Sequence, residues 1–137
     1  MTATEALLLR SEAARGAAVR LSFPRPADAN GDRLLLVEVE ADGLTVRRSV
    51  LSGEDDALDR FMHELSGAAS AGWEGLRSWD SADRRLGIEA RHGGDRAELT
   101  FALRRGAGET LCVPIMIGSA ELRLRLAEWI DSPGREP

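Results

Sequence analysis

Asp42-Gly43 stands between two segments that alternate apolar and polar residues, and this arrangement limits the fold more than any other feature. Both turn positions tolerate positive φ, as a two-residue hairpin requires. Residues 33–40, with Leu35, Val37 and Val39 against Glu38 and Glu40, are therefore predicted to pair antiparallel with residues 44–51. The same period of two recurs in residues 18–23, where Val19, Leu21 and Phe23 alternate with Arg20 and Ser22. Pro24 and Pro26 end that strand because proline lacks the amide proton of a sheet ladder. Asn30-Gly31-Asp32 then supplies the turn into the hairpin.

Three more strands are predicted in the second half. Leu86, Ile88 and Ala90 alternate with Gly87, Glu89 and Arg91, and Gly93-Gly94 turns the chain. Ala97, Leu99, Phe101 and Leu103 lie opposite Glu98, Thr100 and Arg104, and the stretch from Gly106 to Gly108 turns into residues 111–117. Pro114 makes this last run an edge strand or marks a bulge. Connections this short exclude parallel neighbours, which need long crossovers.

Two helices interrupt the strands. Ser52 is read as a cap before Glu54, Asp55 and Asp56, whose charges suit a helix N-terminus. Leu58, Phe61, Met62 and Leu65 form its apolar face, and Gly72 is placed as a left-handed cap beyond its end. Ser119 caps the second helix, with Leu122, Leu126, Trp129 and Ile130 as its buried stripe. Residues 4–14 fit a helix, yet Ala6-Leu7-Leu8-Leu9-Arg10 fits a short strand before Gly16 equally well. The expected fold class is α+β, with an antiparallel sheet of about six or seven strands, bent or two-part, and two amphipathic helices. The order is β-β-β-β-α-β-β-β-α, with the stretch through Trp73 and Trp79 as a loop. Residues 1–132 form one domain and residues 133–137 a disordered tail.

Composition removes whole classes of function. One cysteine, Cys112, allows neither an internal disulfide nor a cysteine-rich zinc site. The longest apolar run, Leu34 to Val37, falls far short of the ~20 residues of a membrane span. No basic flank precedes Leu7-Leu8-Leu9, so no signal peptide is read and a soluble, cytoplasmic protein is expected. With 18 basic and 23 acidic residues the formal net charge is −5, which opposes non-specific nucleic-acid binding. Every basic residue is arginine, and Tyr and Gln are also missing; this reads as the imprint of a G/C-rich genome.

No arrangement of nucleophile, base or metal ligands emerges. His63 lies beside the apolar stripe of the first helix and His92 flanks a turn, each remote in sequence from Cys112. Glu54-Asp55-Asp56 with Asp59 is explained by the helix dipole and matches no calcium loop. Gly93-Gly94 and Gly106-Ala107-Gly108 are hairpin turns, not phosphate cradles at a strand-to-helix junction. No cofactor or metal is expected.

The unusual segment runs from Gly72 to Asp80. It places Trp73 and Trp79 in what should be a polar loop, with Glu74, Arg77 and Asp80 beside them. Tryptophan and arginine are enriched at binding hot spots, and an arginine between indoles can stack on them. Alternatively both rings plug the end of the sheet while Arg77 pairs with Glu74 or Asp80. The stretch Trp73-Glu74-Gly75-Leu76-Arg77-Ser78-Trp79 resembles an actinobacterial family of small uncharacterised proteins that share a W-x-G-x-R-x-W core. The likeness runs from about Ala6 to Ile130 and takes in the strand from Leu86 to His92, ending in a His-Gly-Gly turn, and the strand from Ala97 to Arg104. It departs at Thr110-Leu111, where the family usually has another tryptophan. The resemblance implies no activity. The layout is also similar to the WapI-type immunity proteins of bacterial contact-toxin systems, which neutralise a toxin by binding it. That similarity implies strands at residues 6–10 and 18–23.

Two functions follow as expectations. The first is a non-catalytic protein-binding module, immunity-like, whose acidic character suits a basic, toxin-like partner. The second is a small-molecule binding or enzymatic domain, with Arg77 anchoring an anionic ligand between Trp73 and Trp79.

Overall fold

The structure, a computed structural model, describes residues 6–12, 17–23, 29, 32–52, 58–69, 71–104 and 108–130. Four strands come first: β1 (Ala6–Arg10), β2 (Ala18–Ser22), β3 (Arg33–Ala41) and β4 (Leu44–Ser52). Helix α1 (Leu58–Ala69) leads into β5 (Arg77–Asp80), β6 (Leu86–Gly93), β7 (Arg96–Arg104) and β8 (Thr110–Gly118), and α2 (Ser119–Ile130) closes the order. The strands form two antiparallel four-stranded sheets, β1-β2-β3-β4 and β5-β6-β7-β8. The α+β class and the two-part sheet are as expected.

The strand count differs. Eight strands are present among the described residues, because residues 77–80, expected as loop, pair with β6 in the register Trp79 opposite Ile88. Four residues are too few for an alternation to stand out locally, so the neighbouring strand decides the conformation. Residues 6–10 are a strand, settling the opening segment. Ser52 ends β4 as a buried residue, and the residues 53–57 that it is read as capping lie outside the described residues. Gly16, Pro24, Pro26, Asn30, Gly31, Glu54, Asp55, Asp56, Gly106, Ala107 and the tail at 133–137 lie outside the described residues.

The turn chemistry of the first hairpin is realised directly. Asp42 and Gly43 have φ of 54° and 81°, and Ala41 pairs with Leu44 across them. Strand alternation then sends Leu35, Val37 and Val39 into the core while Leu34, Glu38 and Glu40 face outward. Glu38 accepts ion pairs from Arg47 at 2.8 Å and Arg20 at 3.9 Å on that outer face. In the second sheet, Leu86, Ile88, Leu99, Phe101, Val113 and Ile115 supply the inner face. Side chains from both sheets and both helices join one apolar cluster. Pro114 sits on the edge strand β8, opposite Thr100. Met116 and Gly118 direct their amides away from β7, to Ser11 and Glu12, so Pro114, in phase with them, sacrifices no ladder bond.

Two small polar clamps tie the sheets. Beside β8, the Glu12 amide donates to the Met116 carbonyl at 2.7 Å. Beside β4, Asp83 accepts from the Leu51 amide at 2.8 Å, the Ser81 hydroxyl at 2.7 Å and the Arg85 amide at 3.1 Å. Burial alone would raise the Asp83 pKa. The hydrogen bonds from Ser81, Leu51 and Arg85, with the Arg85 charge, outweigh it and hold the carboxyl below its ordinary 3.8. A depressed folded-state pKa contributes stability above the unfolded value, and that contribution is lost as pH falls through the folded value. Asp83→Ala is expected to cost about 1–2 kcal/mol at neutral pH, since three donors lose their acceptor. Its melting temperature should also fall less than the parent's between about pH 5 and about pH 3. Equal acid sensitivity of the two proteins in thermal melts would refute this role.

Candidate functional site

β4 is the edge strand that most departs from an apolar inner face. Val46, Arg48 and Val50 all point to the side on which their partners Val39, Val37 and Leu35 are buried. Arg48 is thus a charged residue at a core-facing position, tolerated because an open groove and not packed core lies on that side. A groove of about 590 Å³ opens there, within the ~300–1,000 Å³ common for ligand sites. Its apolar surface comes from Val46, Val50, Leu103 and Leu111. Arg48, Arg85, Arg104 and Glu109 supply its charges.

These arginines arrive from separate elements. Arg48 is half-buried and its Nη1 donates to the Arg47 carbonyl at 3.0 Å. Arg85 is exposed at the start of β6, beside the Asp83 clamp. Arg104, at the end of β7, reaches Asp80 at 2.8 Å and the Arg84 carbonyl at 3.0 Å. Its guanidinium crosses directly over Gly87, where a β-carbon would collide with it and with Asp80. Glycine is the residue that lets the Arg104–Asp80 pair span β6. The groove thus holds two guanidiniums, Arg48 and Arg85, that form no ion pair among the described residues, beside Glu109 and the Arg104–Asp80 pair. Guanidinium forks suit carboxylate or phosphate oxygens, and the surrounding apolar surface strengthens such contacts by lowering the local dielectric.

The residues singled out by sequence lie elsewhere. Trp73 is 9% exposed and Trp79 6% exposed, both in the apolar cluster. Trp73 donates its indole N–H to the Ala90 carbonyl at 3.3 Å and packs against His92 with ring centroids 4.8 Å apart. The Arg77 guanidinium carbon lies 6.0 Å from the Trp73 ring centroid. Arg77 pairs with Glu64 of α1 at 3.8 Å, not with Glu74 or Asp80. The reason is strand alternation in β5: Arg77 and Trp79 share one face while Asp80 takes the other and meets Arg104. Glu74 is exposed ahead of β5.

The histidines separate in the same way. His63 is exposed on α1. His92 closes β6 and its Nε2 shares a hydrogen bond with the Ser119 hydroxyl at 2.8 Å. Gly72, at φ 83°, ends the α1 segment so close to the His92 ring that a β-carbon would lie 3.0 Å from it. Cys112 is exposed on β8, in phase with outward-facing Pro114, whereas His92 is in phase with buried Ala90; the sheet separates them. Among the described residues no group of three His, Cys, Asp or Glu side chains could hold a metal ion. No helix among them is long and apolar enough to cross a membrane.

No curated protein and no solved structure matches the chain. A family described as a family of unknown function (DUF6228) matches residues 10–111. That span takes in the hairpin, α1, the tryptophan segment and Arg48, Arg85 and Arg104 of the groove, so the chain belongs to the DUF6228 family.

Proposed function

We propose that this domain is a non-catalytic binding module whose site is the arginine-lined groove under β4, and that it recognises an anionic group attached to an apolar body. The observation that carries this reading is Arg48, a guanidinium turned toward the core side of an edge strand amid Val46, Val50 and Leu103. Burying part of a charge is costly unless a partner meets it. The chemistry is that expected of Arg77 between two indoles, relocated to a place where arginines and open volume coincide.

Anilinonaphthalene sulfonate, an anion on a flat apolar body, is a direct probe. It should fluoresce on binding the folded protein and raise the melting temperature. Arg48→Glu combined with Arg85→Glu should weaken that binding by at least about tenfold, equivalent to about 1.4 kcal/mol. Unchanged affinity in the folded double variant would dismiss the groove as the site.

Net charge −5 and the layout similarity to immunity proteins favour a second reading, in which the domain masks a basic, toxin-like protein partner. Pull-down from the native host over a salt series tests it. Failure to recover any basic partner at low salt would count against it.

A further inference from the structure

We propose that the free edge of β4 takes up an extended acidic segment of a partner protein as an added strand, an inference that rests on the groove reading above. The backbone of Leu51 faces away from β3, because its amide donates to Asp83 at 2.8 Å and its carbonyl accepts from Ala82 at 3.2 Å. With a period of two, Ser49, Arg47 and Thr45 direct their backbone groups the same way. The two-residue turn requires the same phase, since Ala41 and Leu44 exchange ladder bonds across it and Val46, Arg48 and Val50 then face β3. Among the described residues, the Arg47 carbonyl alone of the outward groups at 45, 47 and 49 has a partner, the Arg48 guanidinium. An arriving strand would take that carbonyl and release Arg48 to one of its own carboxylates.

Charge selects the occupant. β4 carries no acidic residue, and Arg47 and Arg104 already meet Glu38 and Asp80, whereas Arg48 and Arg85 of the groove form no ion pair among the described residues and await a carboxylate. A second copy pairing antiparallel over the whole length of β4 would set Arg48 opposite Arg48, which is destabilising. An acidic strand places alternate side chains in the groove and forms main-chain bonds along the edge, the mode known as strand addition.

The test uses a fluorescent peptide alternating glutamate with valine, measured by anisotropy and by amide hydrogen exchange on the labelled protein. Binding should slow exchange at Thr45, Arg47 and Ser49, and leave Val46, Arg48 and Val50, already in the ladder, unchanged. Ser49→Pro removes one outward donor without touching the β3 ladder, as Pro114 does on β8, so circular dichroism should remain native. Its peptide affinity should drop by at least about tenfold. An alternating lysine–valine peptide should not bind. Peptide binding without protection at the three amides, or indifference to Ser49→Pro, would overturn strand addition. So would sedimentation showing that β4 pairs with a second copy. Sulfonate binding that is lost in the arginine double variant, with no peptide binding, would overturn strand addition while sparing the groove reading. Loss of both probes would remove both.

Discussion

Trp129→Ala is expected to destabilise the domain by about 3–5 kcal/mol, the range for deleting a buried aromatic side chain. Trp129 is 2% exposed on α2 and stacks on Phe23, with ring centroids 5.9 Å apart and planes at 3°. The Arg33 guanidinium covers the Phe23 ring at 3.8 Å and also reaches Asp59 of α1 at 3.5 Å. One layered contact thus joins the end of β2, the start of β3 and both helices. Such stacks contribute about 0.5–1.5 kcal/mol beyond the area they bury. Removing the indole leaves a cavity that side chains from four elements cannot refill together. The melting temperature should fall by roughly 10–20 °C. Trp129→Phe should recover much of the loss, because a ring still meets Phe23. Urea unfolding of both variants checks this, and a cost below about 1 kcal/mol for the alanine variant would place Trp129 outside the load of the core.

What could be read from the residues and what could not divides along a physical line. Asp42-Gly43 and its flanking alternation are local chemistry, and the hairpin appears with both φ values positive. The apolar faces of α1 and α2 follow from helical spacing in the same local way. β5 was illegible because residues 77–80 become a strand only by pairing with β6. The leucine run at residues 7–9 suited either element until β2 supplied a partner. The groove was hidden for the same reason on a larger scale. Arg48, Arg85 and Arg104 lie far apart in sequence and line one groove only because the fold sets β4 beside residues of the second sheet. One signal was present: the alternation Val46, Arg48, Val50 puts an arginine in the apolar phase of a strand.

Trp73→Ala should cost about 3–4 kcal/mol and leave groove binding intact in the protein that remains folded. Trp73 packs where β6 ends, against His92, with its indole N–H on the Ala90 carbonyl. The groove lies where β6 begins, beside Arg85. From Leu86 to Ala90 the strand advances about 13 Å, beyond the separation at which substitutions usually act independently. Trp73→Phe isolates the hydrogen bond, and should cost about 1 kcal/mol plus a smaller packing loss. Urea unfolding gives the stability cost, and sulfonate titration at low temperature gives the affinity. A stable Trp73→Ala protein with weakened binding would mean that the tryptophan segment itself contacts the ligand. A large stability cost with unchanged affinity would assign Trp73 to the core, and leave recognition to the arginines at the other end of the sheet.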